Sequence, residues 1–383
     1  MAVAISDYYA KLHTRYRNPK IKVELLHRED ESVYKSITSD LINTSGSLRI
    51  SNVNGLRRYL DLTMNNTSGE YLPDIDGFWL GSKIKLWLGE EINGEDFWLP
   101  QGVFVLNNPD AESYISSKML RIKAVDKFGM LDGTVGGELN SAYIVPVDSN
   151  IYSVLRELLN GTSTVDMPTD IKLPVLDQLY SGEVTPYTLR KEVGDVLANV
   201  ILELQGMLSS NVFYNVNGEM VFERDHNDST KGSLWDFATD EHNYLGATRT
   251  YRFDEVYNAV RVIGDNIDGD LALFEAKNEN LASPTSIPNL GYQRTLIIED
   301  PIINTDALAE ARAYYELKRV TALYSDVSIN TVPMYHLDAD HVITVTDPAI
   351  GLNRTRLLIK EITIPLSTQG QMNISACVSE ELV

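Results

Sequence analysis

The sequence predicts an α+β, β-rich fold in which two β-barrel-like domains flank a small α/β module. Three observations predict it. Up to about residue 125, apolar residues alternate with polar ones in short, closely spaced runs, the two-residue period of half-buried strands. Helical spacing then appears between Asn150 and Gly206 and gives way to an Asn-Gly turn between alternating runs. Alternation returns from Asn258 onward, interrupted by one helix. At 383 residues the chain exceeds one ordinary core and suits roughly two to four domains. Hydrophobic residues at 43% and charged residues at 23% are globular values, so no long segment is expected to be disordered.

In chain order, residues 1–17 read as an N-terminal helix or arm, with Ser6 or Asp7 capping a turn that carries Tyr8, Tyr9 and Leu12. The first β-barrel domain spans residues 18–135. Ile21, Val23 and Leu25 alternate with Lys20, Lys22 and Glu24. Strands at 48–50, 60–64, 84–88, 97–99, 103–105 and 120–125 follow between Gly-, Asn- and Asp-rich turns. Strands this dense without helices point to a closed barrel or sandwich, because closure removes aggregation-prone edges.

The α/β module spans residues 136–243. Ile151, Val154, Leu155, Leu158 and Leu159 share a helical face, with Asp148 or Ser149 as cap and Gly161 as stop. Thr185-Pro186 supplies a cap and a first-turn proline for a second helix. Its stripe of Leu189, Val193, Val196, Leu197, Val200, Ile201 and Leu204 runs to Gly206, with Gly194 a point of breakage. The run from Val212 to Phe222 turns back at Asn217-Gly218, where a two-residue hairpin turn requires positive φ at both positions.

The second β-barrel domain spans residues 244–383. Asn258-Ala259-Val260-Arg261-Val262-Ile263-Gly264 alternates as a strand, Ser283-Pro284-Thr285 and Glu299-Asp300-Pro301 mark turns, and another strand starts near Leu296. Asp306 caps a helix over 306–322 that crosses the sheet, with Leu308, Ala311, Arg312, Tyr315 and Arg319 at three- and four-residue spacing. Strands resume at 327–329, 342–345 and 357–364. An internal echo lays residues 80–86 beside 337–345 and residues 120–124 beside 372–376, consistent with two related β domains.

Taken together, the 258–262 strand entry, Ser283-Pro284-Thr285, the Ala-rich helix at 307–322 and the 337–345 segment resemble the C-terminal half of bacteriophage baseplate hub proteins. The same hub forms the N-terminal part of tail-associated lysins, and the helix-hairpin module resembles its middle portion. The resemblance implies a structural hub of a phage or prophage-derived tail tip. Such a hub is a homotrimeric ring that closes the tail tube, contacts the distal tail protein, and holds tip or receptor-binding proteins. Tape-measure protein and then DNA pass through it. Two similar barrels per chain let a trimer present six near-equivalent barrels, adapting a sixfold tube to a threefold tip. The expected location is the virion tail tip, after assembly in the host cytoplasm. Lysins place their lytic domain beyond the hub, and this sequence leaves no room for one. No catalytic, cofactor-binding or metal residues are therefore assigned, and no cofactor is expected.

Composition agrees. A formal charge of -21 disfavours phosphate binding, though a negative wall would let DNA slide past. No run approaches the roughly 20 apolar residues of a membrane span, and the N-terminus lacks a signal-peptide pattern. The one cysteine, Cys377, reads as a small buried hydrophobe in an alternating run, with the wrong neighbours in Glu380-Glu381 for a reactive thiol.

Some constellations invite chemistry. His336, Asp338, Asp340 and His341 have metal-ligand composition, against a solvated turn entering a strand. Asp265, Asp268 and Asp270 around Gly269 fail the calcium-loop spacing and read as a hairpin tip. Asp225-His226-Asn227-Asp228 reads as a polar loop. Tyr71, Phe78, Trp79, Trp87, Phe97 and Trp98 could form a sugar platform but alternate like core and contact residues. No His-Glu-x-x-His, Gly-x-Ser-x-Gly, phosphate-binding Gly-rich loop or Cys-x-x-Cys occurs. A cell-wall hydrolase and a carbohydrate-binding tail module are the alternative readings.

Overall fold

The computed structural model describes residues 4–28, 30–73, 79, 81–160, 170–177, 182–208, 210–224, 231–265, 271–300, 303, 305–321, 325–367 and 370–378. Asp225-His226-Asn227-Asp228, Asp268 with Gly269 and Asp270, Phe78, Pro301 and the side chains of Asp265 and Arg319 lie outside the described residues. Alternation shapes most of what is described. Helix α1 (Ile5–Leu12) precedes strands β1 (Pro19–Leu26), β2 (Val33–Ser36), β3 (Leu41–Ser51), β4 (Arg58–Asn65), β5 (Lys83–Ile92), β6 (Glu95–Ser113) and β7 (Lys118–Asp126). The middle of the chain forms β8 (Tyr143–Val145), α2 (Ile151–Asn160), β9 (Val175–Leu176), β10 (Leu189–Lys191), α3 (Leu197–Leu208), β11 (Ser210–Tyr214) and β12 (Met220–Arg224). The last third forms β13 (Ser233–Ala238), β14 (Tyr244–Tyr251), β15 (Ala259–Asp265), β16 (Leu271–Lys277), the single turn α4 (Ile287–Leu290), β17 (Thr295–Glu299) and α5 (Asp306–Val320). It ends with β18 (Ser325–Thr331), β19 (Val342–Asp347), β20 (Leu352–Pro365) and β21 (Met372–Val378).

The fold is α+β and β-rich, but the expected closed barrels are not what the described strands make. One 13-stranded sheet runs β14-β18-β21-β20-β3-β4-β7-β6-β5-β1-β2, with β19 and β13 branching from β20. The 14-residue β20 causes the fusion. It pairs with β19 through Leu352–Leu358 positions, with β21 through its middle, and with β3 from Glu361 to Pro365. A bulge between Ile359 and Glu361 lets one strand serve three partners by bending it. The two β halves therefore share one buried cluster, in which Leu48, Leu60 and Ile122 pack with Ile343, Ile359 and Ile374.

The expected internal echo is a matter of topology as well as sequence. In the first half the spatial order is β3-β4-β7-β6-β5-β1, and in the second β14-β18-β21-β20-β19-β13, the same chain ranks in the same positions. All corresponding pairs are antiparallel except at the end, where β1 meets β5 antiparallel but β13 meets β19 parallel. The halves also differ at one turn. Residues 52–57 join β3 to β4, whereas residues 252–324 join β14 to β18 and build a lobe of their own. There β16-β15-β17 form a separate sheet covered by α5, with a core of Val260, Val262, Ala272, Ala276, Ala309, Ala313 and Leu317.

Sequence-derived details are corrected in four places. The expected 97–99 and 103–105 strands are one 19-residue β6, bulged opposite Leu86 and Trp87. No helix starts at Pro186: Leu189–Lys191 is a strand paired with β8, and the chain turns at Gly194 (φ +88°) before α3 begins. The Asn217-Gly218 hairpin exists, but only Gly218 has positive φ, at +71°. Gly218 N donates to Asn215 O at 3.0 Å and Asn215 N to Glu219 O at 2.9 Å, so the loop is a type I turn closed by a glycine bulge. A Cβ at Gly218 would also lie 2.8 Å from Val103, so close approach reinforces the need for glycine.

The fourth correction concerns α5. Thr305, not Asp306, is the cap, its hydroxyl accepting from Leu308 N at 3.3 Å, while Asp306 accepts from Leu273 N at 3.2 Å. The face toward the sheet is Ala309, Ala313 and Leu317; Leu308 and Tyr315 are exposed. Small alanines let the helix lie close to β15 and β16, and spacing alone could not rank them above larger apolar residues on the other face. We predict that Ala313→Leu overpacks this contact and destabilises the lobe by about 1–3 kcal/mol. Hydrogen exchange should accelerate in 259–320 while β4 and β7 keep their protection.

Candidate functional site

Of the polar side chains that sequence singled out for chemistry, His336, Asp338, Asp340 and His341 instead form joints between the parts of the molecule. Arg57 and Arg58 enter β4 from the 52–57 turn and are both buried, at 3% and 1% exposure. Their backbone N–H groups both donate to Asp126 Oδ2 at 2.9 Å, and Asp126 Oδ1 accepts from Phe128 N at 2.9 Å. Burial pushes the Asp126 carboxyl up to about 6, against the three donors that favour its charged form.

The guanidiniums reach out of the first half. Arg58 pairs with Asp338 and donates from Nη1 to Tyr214 O at 2.6 Å. Arg57 pairs with Asp340 at 2.8 Å and lies 3.7 Å over the Phe213 ring. Burial lowers the Arg57 guanidinium and Asp340 opposes that shift. Asp340 sits at φ +64°, a left-handed conformation that aspartate tolerates better than most residues. His341 accepts from Asp338 N through Nδ1 at 3.0 Å, and burial lowers its pKa. Thus Asp338, Asp340 and His341 do converge, but around arginines. Among the described residues, no group of three or more His, Cys, Asp and Glu is placed to hold a metal ion.

His336 points elsewhere. Its ring lies 5.8 Å from Tyr8, 5.0 Å from Tyr9 and 5.4 Å from Trp235, and both its nitrogens are buried without a hydrogen-bond partner. Burial, His341 and Arg17 together lower its pKa to about 4. This ring seats the N-terminal arm. Tyr8 accepts from Tyr335 N at 2.9 Å, and Arg17 binds the buried Glu90 at 2.6 Å and Pro333 O at 2.6 Å. Residues before β1 therefore strap the first half to the second.

A second buried ion cluster, unforeseen from sequence, joins the first half to the middle module. Lys127 is fully buried and contacts Glu31 at 2.8 Å, Gly218 O at 3.0 Å and Asp170, which also accepts from the Tyr214 hydroxyl at 2.9 Å. Lys83 reaches the same Glu31 at 2.7 Å. Burial alone would raise the Glu31 carboxyl, yet Lys127 and Lys83 hold it down to about 2. The only sequence signal was an Asp126-Lys127 pair directly after the apolar run ending at Val125.

Within the aromatic cluster, Trp87 and Trp98 are covered by lysines rather than bare. Lys22 lies 4.5 Å over Trp87 and 5.4 Å over Trp98, Lys85 lies 4.3 Å over Trp87, and Trp87 Nε1 donates to Glu24 at 2.7 Å. Tyr71 is buried, Phe97 stacks on Tyr8 at 5.2 Å, and Trp79 is 39% exposed. Cys377 is half-buried, on the opposite face of β21 from Ile374 and Ala376, rather than buried as expected. No described helix is long and apolar enough to cross a membrane.

No protein-family description and no curated protein sequence matches the chain. Solved structures do, and the fold they share with it is that of phage-type tail proteins. In particular, the chain is similar to the 43 kDa tail protein of prophage MuSo2 from Shewanella oneidensis, at TM-score 0.61 and 13% identity over 94% of this chain and 98% of that one. It is similar to the tail protein from Neisseria meningitidis MC58, at TM-score 0.60 and 11% identity over 94% and 96%. A prophage tail protein from Listeria monocytogenes EGD-e follows at TM-score 0.53 and 11% identity over 95% of each chain. The resemblance drawn from the 258–345 segments is thus met at the level of fold.

Two predictions follow from the joints. Arg58→Met leaves Asp338 without its partner and should cost about 3–5 kcal/mol, with Asp338→Asn recovering part of that loss in a double-mutant cycle read by urea unfolding. The second concerns pH. The folded pKa of His336 (about 4) lies below the ordinary 6.5, so its contribution is present above pH 6.5 and fades as pH falls toward 4. Glu31, at about 2 against 4.5, loses its contribution between pH 4.5 and 2. Asp126, raised to about 6, acts in the opposite sense between pH 6 and 4. The unfolding midpoint of wild type should therefore fall relative to that of His336→Phe on acidification from pH 6.5 to 4.

Proposed function

We propose that the chain is a structural subunit of a phage or prophage-derived tail tip, a hub that assembles as a ring rather than a catalyst. The carrying observation is the shared fold, which spans nearly the whole of this chain and nearly the whole of each tail protein named above. The duplicated strand order supports the further step to a homotrimer, because three copies of a two-repeat chain would offer six similar β faces to a sixfold tube. In that arrangement the hub closes the tube, meets the distal tail protein on one side and tip or receptor-binding proteins on the other. Tape-measure protein and DNA then exit through its lumen. The acidic surface suits such passage, since a net charge of -21 gives phosphates little to hold.

The use of acids and histidines as joints between parts supports a structural reading over a hydrolytic one. A sugar-binding reading is weakened by the lysines that lie over Trp87 and Trp98. Light scattering of the purified protein, alone and with a tail-tube partner, should give a closed oligomer, and negative-stain images should show a ring with a central hole. A monomer under every condition, or clearing of host cell walls in a zymogram, would sink the proposal.

A further inference from the structure

An open groove of about 520 Å³ lies between the N-terminal strap and the end of the large sheet, lined by Leu12, Arg15 and Arg17 on one side and by His242, Leu245 and Tyr335 on the other. No residue lining it is Asp or Glu, in a chain that holds 54 of them against 33 lysines and arginines. Arg17 is already spoken for by Glu90 and Pro333. Arg15 is not. It is exposed, and among the described residues its one hydrogen bond runs from Nε to His242 Nε2 at 3.3 Å, which leaves both terminal nitrogens without a partner there.

Tyr335 adds an independent observation. It is 4% exposed and lines the groove, its backbone N and O are satisfied by Tyr8 and Gln101, and its hydroxyl has no hydrogen-bond partner among the described residues. The hydroxyl oxygen is not one of the sealed polar atoms, so it opens to the groove and can donate to an acceptor placed there. Beside the groove runs β14, which ends the large sheet and pairs only with β18 among the described residues. Its outer edge offers main-chain donors and acceptors to a further extended segment, and the bulge between Tyr244 and Gly246 falls at the groove-lining Leu245.

We propose that this groove binds an extended, carboxylate-bearing peptide segment of another protein chain. The paired terminal nitrogens of Arg15 take a carboxylate in the two-point geometry that guanidinium favours, the Tyr335 hydroxyl donates to the same anion, and Leu12 and Leu245 receive small apolar side chains. Such a segment would rest against the strap and report its docking to both β halves. The assignment goes beyond the ring and does not depend on it, because peptide binding and oligomeric state are measured separately.

The test is fluorescence polarisation on the full chain with a labelled, end-capped Ala-Glu-Glu-Leu-Val-Ala peptide, and with its Gln-Gln counterpart. The acidic peptide should bind, more weakly as salt rises, and the neutral one should bind about tenfold less tightly. Arg15→Gln, at an exposed position that should not disturb folding, should weaken the acidic peptide about tenfold, and Tyr335→Phe about threefold. A large excess of inorganic phosphate should leave the peptide bound. Absence of binding by the wild-type chain, equal binding of the neutral peptide, indifference to Arg15→Gln, or displacement by phosphate would each overturn the assignment.

Discussion

Two consecutive buried arginines hold the three parts of this chain in one arrangement. A guanidinium cannot lose its charge, so burying Arg57 and Arg58 demands anions and carbonyls placed around them. The first half supplies Asp126, which grips their backbone; the middle module supplies Phe213 and the Tyr214 carbonyl; the second half supplies Asp338 and Asp340. Such pairs add little net stability compared with apolar packing, but removing one member leaves a buried charge exposed to no compensation. Their effect is therefore on arrangement, and the parts cannot move apart without stranding both arginines.

The same logic recurs at the other joints. Lys127 is satisfied only when Glu31 from the first half and Asp170 and Gly218 from the middle module are all in place. Arg17 is satisfied only when the strap lies across Glu90 and Pro333. The β20–β3 ladder fixes the register of the two β halves, and the hydrogen-bonded charges fix the strap and the middle module against them, which non-directional apolar packing alone would not do. This suits the structural role proposed above. It also explains why acids and histidines that read as chemistry in one dimension serve as mortar in three.

The duplicated strand order gives each half the same arrangement of strands, and the lobe at 252–324 distinguishes them. It replaces a short turn with an independent sheet and helix, whose elements pack on one another. Duplication followed by insertion at a turn is structurally inexpensive, since surface turns tolerate added chain with little entropic penalty. The result is a chain with two halves of like strand order and a lobe that one half has and the other lacks.

Period-two alternation located most strands, since it depends only on which residues are apolar: Val23, Leu60, Ile122, Ile343 and Ile374 all face the core. The sequence likewise marked α2, the glycine of the 217–218 turn and the echo between 120–124 and 372–376, whose strands β7 and β21 hold equivalent places. Alternation carries no information about which edge meets which, so it could not reveal that β20 would bridge the halves into one sheet instead of two closed barrels. Nor could spacing show that α5 would turn its alanines inward, that Asp338 and Asp340 would meet arginines some 280 positions away, or that Lys127 would be buried. By itself the sequence determined most of the strands together with α1, α2 and α5, because each is set by local periodicity. Only the tertiary structure decided the joints, because a buried charge finds its partner through space and leaves no spacing behind.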